Sequence, residues 1–157
     1  MGDRVQSYTT FNYSVTSSAT GPVSLAPARE MMMANQKAGK TFLSSEMVAA
    51  ATPLAGFVVN VTNTGSVDAD DVVLGFVKPP GAGQNGVPLQ SLFDFSRVHV
   101  PAGQTVSVQM YPALTEYTQI DVSGTRQVLE GAYTFFFGVK ETVEGGMGYA
   151  EHTLHTY

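Results

Sequence analysis

The sequence predicts an all-β fold, an antiparallel sandwich, on three observations. Short segments rich in Val, Phe, Tyr and Thr recur along the chain, and clusters of Gly, Pro, Asn and Asp separate them. In the most regular segments apolar and polar residues alternate with period two, so that one face of each strand enters a core. Residues 54–77 organise the rest. Phe57, Val59 and Val61 fall on one face of a first strand and Val58, Asn60 and Thr62 on the other, while residues 72–77 form a second, almost wholly apolar strand. The polar stretch Asn63-Thr64-Gly65-Ser66 between them has the chemistry of a tight turn, and the pair is expected to form a central hairpin. Asp68, Asp70 and Asp71 are expected to keep its return in water.

At 157 residues the chain is long enough to bury an apolar core, and it is expected to form one domain. Its 43% hydrophobic and 13% charged residues are those of a globular protein. A net charge of -5 with scattered Lys and Arg argues against nucleic acid or an anionic membrane as partner. There is no cysteine, hence no disulfide framework or thiolate metal site. The start, MGDRVQSYTT, lacks the basic-then-apolar pattern of a signal peptide, and no run approaches the ~20 apolar residues of a membrane span. The chain is therefore expected to be soluble, and either cytosolic or a piece of something longer.

Residues 7–15 alternate as a first strand carrying Tyr8, Phe11 and Tyr13, with a phase break at Thr10-Phe11 that suggests a bulge or a change of face. After Gly21-Pro22 and Pro27 the composition shifts, over residues 28–52, to Ala and Met, which favour helix. This partly helical or irregular excursion has Ser44 or Ser45 placed to cap a short helix over residues 46–51. Met31-Met32-Met33 read as gap filling beneath a long loop, in preference to an adaptable binding surface. Residues 79–88, PPGAGQNGVP, cannot continue a ladder and must be a surface loop. Residues 89–100 bring Leu92, Phe93, Phe95, Val98 and Val100. Residues 105–111 alternate cleanly, with Val106, Val108 and Met110 on one face. A less regular region, 112–128, turns at Ser123-Gly124, and residues 131–139 and 148–157 complete the strands.

Several of these residues resemble a known family in their order and spacing. Pro88-Leu89, Leu92, Phe95, Arg97-Val98, Val100, Gly103 and Thr105, preceded by Val61-Thr62-Asn63-Thr64-Gly65 and followed by Leu129-Glu130-Gly131-Ala132-Tyr133, look like the C-terminal fibronectin type III-like domain of glycoside hydrolase family 3. Ser7-Tyr8-Thr9-Thr10-Phe11 resembles the segment through which those enzymes enter this domain, and the Pro79-Pro80-Gly81 loop leans toward the β-xylosidase branch. The family usually has Pro where Glu130 stands, and the 28–52 excursion is longer than usual. The resemblance implies a fibronectin type III-like sandwich without catalytic residues. In the parent enzymes the nucleophile and the acid/base residue lie in a barrel and an α/β domain, neither of which fits in this chain. It implies the catalytic domains of a family 3 enzyme as partners, with a plant or algal polysaccharide as a further candidate, and an extracellular or cell-wall setting if the parent is secreted.

No cofactor is expected and no metal ligands are assigned. Asp68, Asp70 and Asp71 lack the downstream Glu of a calcium loop and read as solvated. His152 and His155 would share a helical face suited to zinc, but in a strand they point to opposite faces, and His99 reads as an outward position. Asn12 and Asn60 match the N-glycosylation pattern. With no Trp, a sugar-stacking platform would rest on Tyr111 and Tyr117, or on Tyr149 and Tyr157, rings read in preference as core or interface. The candidate recognition loop is that of Pro79, Pro80, Gln84, Asn85 and Pro88, exposed and flanked by strands.

Overall fold

The computed structural model describes residues 10–39, 51–84, 86–138 and 148–157. In chain order the elements are β1 (Phe11–Ser17), α1 (Ala26–Lys37), β2 (Phe57–Asn63), β3 (Ala69–Lys78), β4 (Ser91–Val100), β5 (Thr105–Met110), a 3-10 turn (Leu114–Tyr117), β6 (Thr118–Ile120), β7 (Arg126–Val128), β8 (Ala132–Gly138) and β9 (Tyr149–His155). One sheet has the order β1-β2-β5 and the other β4-β3-β8-β9; β6 and β7 form a separate ribbon. All of these pairings are antiparallel. This is the expected all-β sandwich. Its core joins Phe57, Val59 and Val61 of β2 to Val73 and Val77 of β3, Val108 and Met110 of β5, and Tyr133, Phe135 and Phe137 of β8.

The expected central hairpin does not form. β2 pairs with β1 and β5, whereas β3 pairs with β4 and β8, so residues 64–68 carry the chain from one sheet to the other. Each strand has a buried apolar face, and the two faces bury each other when the strands lie in opposite layers. Asn63 fixes the crossing. Its fully buried side chain donates from Nδ2 to the carbonyls of Val67 (2.8 Å) and Val100 (2.9 Å), and its Oδ1 accepts from the Gly65 N–H (2.9 Å). Its backbone is bonded to Gln104 and Gly103. One amide thus ties the end of β2 to the end of β4 in the facing sheet.

The expected phase break at Thr10-Phe11, a bulge or a change of face, was read against residues before Thr10 that lie outside the described residues. β1 alternates without interruption, with Phe11, Tyr13 and Val15 against the core; Tyr8 lies outside the described residues. A bulge does occur between β3 and β4, where Gly75 opposes Asp94 and Phe76 opposes Leu92, leaving Phe93 as the extra residue. The bulge turns the Phe93 ring inward, edge-on to Phe135 at 5.7 Å between centroids. A Cβ on Gly75 would come within 2.9 Å of that ring, so the absence of a side chain at 75 makes the space that Phe93 fills.

The helix in the excursion is α1, which starts with Pro27 in its first turn, buries Ala28 and Met31 and ends at Lys37. Of the three methionines Met31 fills the interior, as expected, and Met33 is exposed. The expected helix over 46–51 lies outside the described residues except for Ala51, which is not helical. The region 112–128, read as irregular, is the 3-10 turn and the β6–β7 ribbon, and it positions a tyrosine pair. Tyr133, near the start of β8, donates its hydroxyl to the Leu129 carbonyl four residues upstream at 2.6 Å, the tyrosine-corner geometry of sandwich folds. The ring of Tyr117 lies against it at 5.0 Å, also fully buried, and among the described residues its hydroxyl has no hydrogen-bond partner.

Two sets of unfolding measurements check these roles. Asn63→Ala leaves two carbonyls and an N–H unpaired in the interior and should cost about 2–4 kcal/mol, read as a lower urea midpoint with unchanged slope. Tyr133→Phe should cost about 1–2 kcal/mol, whereas Tyr117→Phe, which removes an unsatisfied buried hydroxyl, should be neutral or stabilising.

Candidate interaction surfaces

A strand with one wet side alternates; β3 does not. Asp71, Val73, Gly75 and Val77 face the core, but Val72, Leu74 and Phe76, on the opposite parity, are also apolar. Across the ladder Leu74 pairs with Phe95 and Phe76 with Leu92, and on the other side Phe76 pairs with Phe136. Phe95 is 65% exposed, Leu92 50% and Val72 41%. The Phe76 and Phe136 rings stack at 5.3 Å, and Tyr149 lies 6.3 Å beyond Phe136. An apolar band thus crosses the outer face of the four-stranded sheet, and sequence reasoning missed it as a site. Its signal was the run of residues 72–77, apolar at both parities, because a strand apolar on both sides has two faces to cover. Over the aromatic pair a hollow of about 490 Å³ is rimmed by Lys78, Gln90 and Glu151. Burial, aided by Glu151, raises the Tyr149 hydroxyl above its ordinary value.

The three aspartates do not converge. Asp68 accepts the Ala102 N–H at 2.8 Å, and Asp71, expected in water, is buried and accepts the Tyr13 hydroxyl at 2.5 Å. That bond ties β1 to β3 across the core, and burial, reinforced by Asp71, raises Tyr13 well above the ordinary tyrosine value. Asp68 and Asp70 stay exposed, as expected, and Asp70 lies on the outer face of β3. His99 Nδ1 lies 2.7 Å from its Oδ1 and the Arg97 guanidinium 3.0 Å from its Oδ2, and these bonds, His99 first, hold its carboxyl below the ordinary value. His99 is exposed, as expected. His152 faces inward, 5.8 Å from the Phe57 ring, and His155 is exposed, so the two histidines take opposite faces of β9. Among the described residues no three His, Asp or Glu side chains gather as a metal site.

The 79–88 loop is held by its own backbone bonds, Gln84 N–H to Gly81 at 3.0 Å, Val87 to Gln84 at 2.8 Å and Gly83 to Val87 at 2.8 Å. Gly81, Gly83 and Gly86 have φ of 70°, 83° and 81°, which the turns require. Of the candidate recognition residues Gln84 and Pro88 are exposed and Pro80 half-buried. Pro79 is buried where the loop leaves β3, which removes it from any contact surface, and Asn85 lies outside the described residues. Asp121 at the ribbon tip accepts from the Ser123 hydroxyl (2.6 Å) and the Thr125 N–H (3.0 Å), bonds that hold it below the ordinary value. It also accepts from Gln127 at 2.8 Å.

The two favoured stacking tyrosines part company. Tyr117 is at 0% exposure, a core ring that offers no face to a sugar, because the 3-10 turn directs it onto Tyr133. Tyr111 is 53% exposed, lies over Gly56 and donates to Gln109 at 2.9 Å. Asn12 is exposed on β1; Asn60 is half-buried in the centre of its sheet, where its Oδ1 accepts from Ser107 at 2.6 Å.

No family model matches the chain. A β-D-xylosidase of Arabidopsis thaliana is 30% identical over 149 residues, 87% of this chain and 18% of the relative. An exo-1,4-β-xylosidase of Emericella nidulans is 30% identical over 135 residues, 85% of this chain and 16% of the relative. The same sandwich occurs in β-glucosidases of Erythrobacter marinus (TM-score 0.65, 17% identity) and Trichoderma reesei (0.64, 19%). It recurs in a GH3 β-glucosidase of Bifidobacterium adolescentis (0.58, 21%). The resemblance to glycoside hydrolase family 3 is borne out. The chain aligns with part of these family 3 proteins, spanning 11–18% of the curated relatives and 16–19% of the first two solved structures. At these identities the solved structures speak for the fold, and that fold is the fibronectin type III-like sandwich expected from the motifs.

Asp70 gives a pH prediction. A carboxyl whose folded value is lowered adds stability in full above the unfolded value and loses it as pH falls through the folded one. Urea midpoints measured from about pH 5 down to pH 2 should therefore fall less steeply for Asp70→Asn than for the unaltered chain.

Proposed function

We propose that residues 1–157 form one non-catalytic accessory module that docks on the catalytic domains of a family 3 glycoside hydrolase, in the same or another chain, and stabilises them. The observation that carries this reading is the apolar band of Val72, Leu74, Phe76, Leu92, Phe95 and Phe136 on the outer face of an otherwise amphipathic sandwich. Contiguous apolar surface of this kind marks a face that another surface covers. Its occupant is the remainder of a family 3 enzyme, since the chain accounts for less than a fifth of the relatives it aligns with. A non-catalytic role agrees with how four of the described carboxylates are engaged: Asp68 on a backbone N–H, Asp70 on Arg97 and His99, Asp71 on Tyr13, and Asp121 within its own turn. Retaining hydrolysis needs two carboxyl groups about 5–5.5 Å apart, facing a sugar. The 79–88 loop, ordered by its own bonds, is the piece of the module we assign to substrate access.

A second reading, a stand-alone carbohydrate-binding module, is favoured by one observation. The stacked Phe76–Phe136 pair under Lys78, Gln90 and Glu151 is an aromatic floor with a polar rim.

The test is the double variant Leu92→Ser, Phe95→Ser. In the isolated chain these exposed positions should change stability by no more than about 0.5 kcal/mol each. Joined to, or mixed with, family 3 catalytic domains, the variant should lower their thermal inactivation midpoint or weaken association about tenfold. Unchanged association, together with saturable binding of xylan or cellulose that Phe136→Ala abolishes, would favour the second reading instead.

A further inference from the structure

The 79–88 loop and the β6–β7 ribbon enclose a cleft of about 250 Å³ at the end of the sandwich, and none of its lining residues belongs to the apolar band on the sheet face. Pro80, Val87 and Leu129 contribute apolar surface, and Gln84, Gln119 and Gln127 contribute three primary amides. Gln119 and Gln127 are directly opposed across the ribbon. Gln127 donates its Nε2 to Asp121 at 2.8 Å, which fixes the orientation of its amide and leaves Oε1 as an acceptor. Among the described residues the side-chain amides of Gln84 and Gln119 are unengaged. We propose that this cleft is a subsite for one neutral pyranose unit. A primary amide both donates and accepts, which suits vicinal hydroxyls, and the apolar residues suit the C–H face of a sugar ring. Among the described residues no Lys or Arg lines the cleft, so a phosphate or carboxylate ligand would lack the charge partner that such groups require. The volume lies below the ~300–1,000 Å³ of sites for drug-sized ligands, which limits the occupant to a single ring. The subsite is independent of docking through the sheet face.

The test is a titration of the full chain with methyl β-D-xylopyranoside and methyl β-D-glucopyranoside, followed through side-chain amide signals by NMR, with glycerol and inorganic phosphate as controls. At least one glycoside should give saturable shifts at the amides of Gln84, Gln119 and Gln127, and neither control should. Gln119→Ala, which leaves the Gln127–Asp121 bond in place, should weaken binding about tenfold without changing the unfolding midpoint. Shifts that do not saturate, that phosphate reproduces, that centre on Phe76 and Phe136, or that survive Gln119→Ala would overturn the proposal.

Discussion

The side chain of Asn63 is the constraint on which the rest of the sandwich depends. A chain leaving β2 with a buried apolar face can return beside it as a hairpin or cross to face it. The amide selects the second course by bonding the Val67 and Val100 carbonyls at once. These bonds lie in the interior, where an unmade partner costs most. With the crossing fixed, β3 becomes the partner of β4 and β8, and the core forms between the layers. The Tyr13–Asp71 bond makes a second brace between the same sheets, from the neighbouring strand β1 of the first layer.

That topology also determines which surface is left to be covered. β3 sits inside the four-stranded sheet with apolar residues on both faces, so its inner half completes the core and its outer half makes a band with Leu92, Phe95 and Phe136. The bulge at Phe93 sharpens the division. It sends Phe93 inward while Leu92 and Phe95, on either side, stay outside. A single sheet thus serves as the wall of one core and offers a face to another surface, which fits a module whose relatives are several times its length.

Much of the fold was legible because period-two patterning depends only on side-chain direction. The faces of β2 and β5 and the opposite orientations of His152 and His155 followed from it, and the turn at Ser123-Gly124 followed from the chemistry of its Ser-Gly pair. Strand partnership was not legible. Residues 63–66 have turn chemistry whether the chain reverses within a sheet or crosses between sheets, and only the buried amide of Asn63 decides. Burial at single polar positions was hidden for the same reason, so Asp71 reads as solvated and Tyr117 as core, interface or sugar platform alike, although tertiary contacts enclose both. The band on the sheet face was visible in the run of residues 72–77, but an apolar run reads first as core. The glutamine cleft had no local signal, since Gln84 and Gln119 meet only through the packing of loop on ribbon.

The most direct check on the docking account is hydroxyl-radical footprinting of side chains, comparing the isolated chain with the same segment inside a complete family 3 enzyme. The account predicts strong oxidation of Phe95 and Leu92 in the isolated chain and their protection in the complete enzyme, with Tyr111 equally reactive in both. Equal reactivity of Phe95 and Leu92 in the two settings would contradict it.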